Sequence, residues 1–169
     1  LAPAAHGGNR TGRVFTGDKS SDFLFKCMYA AGFSNQPTSI NKNDGLKLIN
    51  VYLTTALKCV PPGEKPNYNE LRTCYSFFKK ETQYLKNITT ILALGKIAFE
   101  ACINFYKDDY NIRTKDYIFS HGSKFSLPDK KILIGCYHPS PRNVNTGRIN
   151  KQKMVKLLKT TQKTINSQK

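Results

Sequence analysis

A strand pattern followed at once by a helical pattern is the feature that most limits the fold of this chain. Residues 88–94 form an apolar run that ends at Gly95, and residues 96–106 then repeat apolar side chains at helical spacing. Residues 131–137 form a second apolar run with the length and composition of a strand. Strands that alternate with helices predict a mostly parallel sheet with helices covering both faces.

Two more helices are predicted from their periodicity and their capping residues. Residues 20–31 place apolar side chains on one face, after candidate N-caps at Asp18 or Ser20. Asn67 and Glu70 stand at the N-cap and N3 positions of the second helix.

The carboxyl ends of the predicted strands carry the least ordinary residues of the chain. Residues 49–54 alternate apolar and polar side chains and are interpreted as a strand, whereas residues 117–125 are interpreted as a turn-rich connection. Thr55, Gly95 and His138 each follow a predicted strand. Since ligands bind beyond the carboxyl ends of parallel strands, we expect the functional site there.

The charge of the chain points to a polyanionic partner. Lys and Arg number 27 against 11 Asp and Glu, which gives a net charge of +16. Residues 150–165 contribute to it as a predicted basic amphipathic helix. A solvated surface without a partner is the alternative. Binding to a membrane is a weaker alternative, because no apolar run approaches the length of a span and no signal pattern opens the chain. We therefore expect an intracellular, cytoplasmic protein.

The opening segment, residues 1–18, combines small residues, glycines and two arginines in one irregular loop. Glycine permits close backbone approach to a ligand, and Arg10 and Arg13 could either bind phosphate or order the loop. Taken alone, such a loop is more often a turn than an active site. It matches neither the Rossmann nor the Walker A pattern, which argues against nucleoside triphosphates. Because Leu1 opens directly on this loop, we expect a fragment whose first strand precedes it.

Several motifs, in order along nearly the whole chain, resemble the family 5, or B-type, uracil-DNA glycosylases. They are residues 1–18, residues 58–66, Cys74, and Tyr137-His138-Pro139-Ser140 with Asn143, Thr146, Gly147 and Arg148. The resemblance implies a single domain over residues 1–169. Its fold would be a three-layer α/β/α sandwich with a central, mostly parallel four-stranded sheet whose first strand is missing here. The base pocket would lie at the carboxyl edge of that sheet.

The resemblance also assigns roles to the opening loop. Related enzymes carry a water-activating polar residue where this chain has Ala2, so we expect Asn9, or else Asp18, to position the water. Ala2 and Ala4 would line the base pocket. Phe15 stands where the family stacks an aromatic ring on the flipped base, with simple core packing as the alternative.

Four residues further along the chain complete the expected pocket. Thr55 replaces an Asn found in many members, which would broaden or shift the base preference. His138 matches the histidine that faces the base and stabilises the negative charge left on uracil. Ser140 and Arg142 would hold the DNA open.

The cysteines divide into two groups. Five cysteines without a secretory signal favour a metal or cluster over disulfides. The resemblance makes Cys59 and Cys74 two ligands of a 4Fe-4S cluster, with two further cysteine ligands upstream of Leu1. The others, Cys27, Cys102 and Cys136, lie in apolar patterns and are expected in the core.

The predicted function is therefore that of a monofunctional DNA-repair glycosylase. The enzyme would flip uracil, and other deaminated bases, out of single- or double-stranded DNA and hydrolyse the N-glycosidic bond. It would act as a monomer associated with the nucleoid. The alternative is a noncatalytic nucleic-acid-binding module with an iron-sulfur cluster, and a base-excision assay discriminates between the two.

Overall fold

A small sheet lies at the centre of the protein. The computed structural model describes residues 2–64 and 66–168, so that Leu1 and Lys65, which belong to two of the predicted motifs, lie outside the described residues. The strands are β1 (Thr90–Leu94), β2 (Lys124–Ser126) and β3 (Ile132–Cys136). Their order is β1-β3-β2, with β1 parallel and β2 antiparallel to the central β3.

Two of the helices, the first and the second along the chain, begin where their capping residues predict. The helices are α1 (Lys19–Ala30), α2 (Tyr68–Tyr84), α3 (Lys96–Tyr110), α4 (Pro141–Asn145) and α5 (Lys151–Asn166). Asp18 caps α1 by accepting from the Ser21 amide at 2.9 Å. Asn67 and Glu70 form a reciprocal capping box at the start of α2. The helices predicted from residues 20–31, 67 onward, 96–106 and 150–165 are thus confirmed.

Helices cover both faces of the sheet, which confirms the three-layer α/β/α sandwich. Successive strand residues point to opposite faces. Leu92 and Ile134 pack into one core with α1 and α5, whereas Ala93 and Leu133 pack into a second core with α3. The sheet therefore has a buried position between two apolar layers.

Two strand predictions need correction. The alternation over residues 49–54 predicts a strand, but in the structure these residues belong to none, and only a single bridge, Ser34 to Leu48, pairs the segment before them. Asn50 has a φ of +54°, which interrupts extended backbone. Conversely, the predicted connection over residues 117–125 runs into β2, which forms a hairpin with β3. Among the described residues the sheet thus has three strands, one of them antiparallel.

The structure also bears on membrane insertion. In the two described ranges, none of the helices combines the length and the apolar character needed to cross a bilayer.

Candidate active site

The carboxyl ends of β1 and β3 meet at Gly95 and His138. The Gly95 amide donates to the Cys136 carbonyl at 2.7 Å, which continues the parallel ladder past the end of the strands. Gly95 has a φ of +106°, and a β-carbon there would lie 3.2 Å from His138 Cβ. Glycine is therefore needed for two reasons, its backbone conformation and the close approach of His138.

His138 is positioned through its backbone, and its ring remains available. Asn143 Nδ2 donates to the His138 carbonyl at 2.9 Å, which ties the residue to α4. Burial lowers the pKa of His138 to about 4, while the Asp18 carboxylate acts in the opposite direction. The imidazole is thus neutral near pH 7. Among the described residues it makes no side-chain hydrogen bond, so it can donate one to a ligand.

Phe15 faces His138 from the opening loop. The ring centroids are 6.2 Å apart, with an angle of 33° between the planes. Part of the Phe15 ring also packs against the core that contains α1 and α5. Core packing therefore accounts for part of the ring, and base stacking stays a prediction. Its φ of +51° is rare for a residue with a β-carbon.

The remaining opening-loop residues divide by exposure. Ala2 and Asp18 are half-buried, whereas Ala4 and Asn9 are exposed. Asp18 lies against Gly7, where a β-carbon would come within 2.3 Å of Asp18 Oδ2. Asp18 Oδ1 caps α1, which leaves Oδ2 directed at the loop. Asp18 is thus half-buried against the loop, where its carboxylate raises the pKa of His138 against the effect of burial, whereas Asn9 lies at the surface.

Arg10 makes a hydrogen bond within the opening loop. Its Nε donates to the His6 carbonyl at 3.0 Å, across a single helical turn formed by Ala5–Asn9. This contact closes the turn and favours loop ordering as the role of Arg10.

Thr55 is buried and fixed by a network that the sequence did not reveal. Lys58 Nζ donates to the Thr55 carbonyl at 3.0 Å and to Thr54 Oγ1 at 2.8 Å. The same ammonium pairs with Glu81 of α2 at 2.8 Å. Glu81 is 23 residues from Lys58, so no local pattern signals the pair. The network holds the Thr54-Thr55 segment against α2.

The α4 segment forms the rim of an open cleft. Ser140 Oγ accepts from the Asn143 amide at 3.3 Å and caps the helix, so its hydroxyl has a structural role. Arg142 is exposed, and Arg148 lies 5.4 Å from the Tyr137 ring centroid. The cleft is lined by Ser140, Arg142, Asn143, Thr146, Gly147 and Arg148. Two guanidinium groups beside an open cleft suit a phosphate backbone.

Three of the five cysteines lie in the core, as the sequence predicts. Cys27, Cys102 and Cys136 are buried, and burial raises the pKa of Cys27 to about 11 and of the other two to about 12. Protonated thiols of this kind are poor metal ligands. Cys59 is exposed and Cys74 is half-buried, so these two have the access that ligands need. They would supply two of the four thiolate ligands of a 4Fe-4S cluster. Within the described ranges no three Cys, His, Asp or Glu side chains lie close enough together to bind a metal ion.

Comparison with known proteins agrees with this arrangement. Residues 1–162 match the uracil DNA glycosylase superfamily. A type-5 uracil-DNA glycosylase of Thermus thermophilus is 40% identical over 158 residues, which cover 94% of this chain and 70% of the relative. A Pyrobaculum aerophilum protein of the same name is 38% identical, over 94% of this chain and 67% of the relative. A Mycobacterium bovis protein, also so named, is 39% identical over 88% of this chain and 55% of its own length.

Proposed function

The chain belongs to the uracil DNA glycosylase superfamily, and on that premise we propose that it excises uracil from DNA by hydrolysing the N-glycosidic bond. The product is an abasic site. The observation that carries the proposal is the neutral, half-buried His138 facing Phe15 at the carboxyl edge of the sheet. The noncatalytic nucleic-acid-binding module is not favoured, because the relatives of about 40% identity are named as glycosylases.

His138 stabilises the leaving base. Cleavage of the glycosidic bond leaves negative charge on the uracil ring, and a fixed hydrogen-bond donor in a water-poor site lowers the barrier to that step. A neutral imidazole suits this role, because it keeps one N–H donor at neutral pH. His138 therefore acts by donating a hydrogen bond and not as a titrating acid.

Phe15 and Thr55 hold the base in the pocket. The exposed side of the Phe15 ring stacks on the flipped base, while its other side stays in the core. Thr55, fixed through its carbonyl by Lys58, replaces an amide side chain with a hydroxyl and thereby admits other deaminated bases besides uracil. Ala2 and Ala4 line the same pocket with small side chains.

Asp18 and Asn9 are the groups for the attacking water. Asp18 Oδ2 is not used in capping α1 and lies against Gly7, and its charge acts on the pKa of His138, which supports Asp18 more strongly than the surface-exposed Asn9. This ranking reverses the preference drawn from the sequence. Either oxygen would orient a water molecule towards the sugar carbon after the base has left.

Arg142 and Ser140 act on the DNA. The exposed Arg142, at the first turn of α4, braces the gap left by the flipped nucleotide, and Ser140 holds α4 in place by capping it. Both single- and double-stranded DNA are substrates, and the enzyme works as a monomer at the nucleoid, where its substrate is.

Cys59 and Cys74 hold one side of a 4Fe-4S cluster. If these two thiolates hold the cluster, Cys59 and Cys74 would tie the residue 55–59 segment to α2. Lys58 and Glu81 already join the same two elements, so the cluster would reinforce the wall of the pocket that contains Thr55.

The proposal is tested by incubating the full-length protein with a U:G duplex and with a uracil-containing single strand. Free uracil and an alkali-labile, uncleaved strand are expected from both. Arg142→Ala should lose roughly 10-fold more activity on the duplex than on the single strand, because only the duplex has a gap to brace. Arg113→Ala, an exposed arginine on another segment, is the matched control. No release of uracil from either substrate would refute the function, and equal loss on both would refute the role of Arg142.

A further inference from the structure

The opening loop is fastened to a second loop, residues 39–46, through Arg13. Arg13 Nη2 donates to Asp44 Oδ2 at 2.7 Å and to Ser39 Oγ at 2.9 Å. Arg13 Nε donates to Thr16 Oγ1 at 3.0 Å. The guanidinium is turned into the protein and has three acceptors there. Of the two roles open to Arg13 from the sequence, phosphate binding and loop ordering, the geometry supports loop ordering.

Asp44 makes the second loop a firm support for this contact. Its Oδ2 accepts from the Ile40 amide at 2.7 Å, and its Oδ1 accepts from the Leu46 amide at 3.1 Å. The hydrogen bond from Arg13 holds the pKa of Asp44 well below its usual range, so the carboxylate stays charged. The side chains of Arg13 and Asp44 are 24% and 9% exposed, so the contact is only partly open to solvent.

A buried pair of hydroxyl groups and a backbone hydrogen bond also join the opening loop to the residue 39–46 loop. Thr16 Oγ1 and Ser39 Oγ are 2.7 Å apart, and the two residues are 0% and 1% exposed. The Gly17 amide donates to the Ser39 carbonyl at 3.0 Å. The chain on the carboxyl side of Phe15 is therefore held as firmly as the chain on its amino side.

Phe15 lies between these anchored residues in a conformation that it would not adopt unaided. Its φ of +51° is left-handed, and such residues persist where the surrounding structure over-determines them. The Arg13–Thr16 hydrogen bond spans Phe15, and the ring it directs faces His138 at 6.2 Å.

We propose that the Arg13–Asp44 ion pair is a positioning device that uses the residue 39–46 loop to hold Phe15 opposite His138. The inference rests on the proposed function, since it gives that pairing of rings a purpose. Neither Arg13 nor Asp44 touches the substrate. Their contribution is to keep the stacking surface in place before the base arrives, which removes an ordering cost from the reaction.

The activity test compares two carboxylates that each form a 2.7 Å ion pair. Asp44→Asn removes the charge beside Arg13, and Asp109→Asn removes the charge beside Lys79 between α2 and α3. At saturating DNA, Asp44→Asn should lower the single-turnover rate by roughly 10-fold with DNA affinity within about twofold of wild type. Asp109→Asn should keep the wild-type rate. Arg13→Lys keeps the positive charge but loses the planar guanidinium with its several N–H donors. Its single-turnover rate should lie between those of Asp44→Asn and Asp109→Asn.

A spectroscopic test does not depend on activity. Fluorine-labelled phenylalanine would give resonances for the ten phenylalanines, and Phe15→Leu identifies that of Phe15. In Asp44→Asn the Phe15 resonance should shift or broaden, whereas in Asp109→Asn it should not. An unchanged Phe15 resonance, or a wild-type rate in Asp44→Asn, would overturn the proposal. A wild-type protein that releases no uracil would refute the proposed function, and the resonance would still decide whether the ion pair positions Phe15.

Discussion

At the scale of single residues, His138 depends on neighbours that never touch a substrate. Gly95 provides the space in which His138 packs, and Asn143 holds its carbonyl. A small displacement of the imidazole matters because a hydrogen bond to the leaving base requires a donor held within a fraction of an ångström of its place.

Gly95→Ala should therefore lower the rate of excision by more than its loss of folding stability alone would explain. The added β-carbon would lie 3.2 Å from His138 Cβ, and the residue would have to keep a φ of +106°. We expect a 10- to 100-fold lower single-turnover rate. Gly32→Ala is the control, because Gly32 has a φ of +80° at the end of α1 with no contact closer than 3.7 Å. Gly32→Ala should lose about 1–2 kcal/mol of stability, and Gly95→Ala about 1–3 kcal/mol, because a φ of +106° with a ψ of 158° lies in a region that is essentially restricted to glycine. Equal rates in the two variants would contradict the role of Gly95.

Residue-scale predictions from sequence succeeded where the signal was local. Asp18 could be placed as an N-cap, and His138 at a strand end, from their immediate neighbours. The pairs Lys58–Glu81 and Arg13–Asp44 could not be predicted from the sequence. Their members are 23 and 31 residues apart and come together only in the tertiary fold.

At the scale of elements, helices were predictable and strands less so. A helix makes its hydrogen bonds within one segment, so the periodicity and caps of α1, α2 and α5 sufficed. A strand requires a partner that its own sequence does not specify. Val51 and Leu53 alternate as a strand would and do pack against the core, yet no strand of the described ranges pairs with them. The three residues of β2 are too few to show a period.

The loop and helix that carry Cys59 and Cys74 lead to a prediction about iron. The full-length protein purified without oxygen should be brown and contain roughly four iron and four sulfide per chain. Cys59→Ser and Cys74→Ser should each lower the iron content. Cys102→Ala, which removes a buried thiol from α3, should leave it unchanged. Iron-free protein that remains folded and active would contradict the cluster.

At the scale of the whole molecule, the net charge of +16 includes a helix whose lysines no acidic residue of the same helix balances. The helix α5 carries Lys151, Lys153, Lys156, Lys159 and Lys163 and no acidic residue. Like charges at these spacings repel each other along a helix. A DNA backbone near α4 and the start of α5 would relieve that repulsion, which is consistent with the guanidinium groups that line the cleft.

DNA binding should therefore weaken steeply with salt. The slope of log affinity against log salt should be about −0.9 for each phosphate neutralised. Arg142→Ala should reduce that slope by about one phosphate, whereas Lys107→Ala, an exposed lysine on α3 across the sheet, should leave it unchanged. An affinity that does not vary with salt would rule out this electrostatic account.

The central claim, that a neutral His138 drives excision of uracil, is tested most directly by single-turnover kinetics of His138→Ala on a U:G duplex. Burial lowers the pKa of His138 to about 4, so the imidazole stays neutral and the wild-type rate should show no His138 titration between about pH 5.5 and 8. His138→Ala should be roughly 100- to 1,000-fold slower throughout, with DNA affinity within about twofold of wild type. His121→Ala, which removes another histidine whose pKa burial lowers, is the control and should remain active. A His138→Ala variant that releases uracil at the wild-type rate would contradict the account.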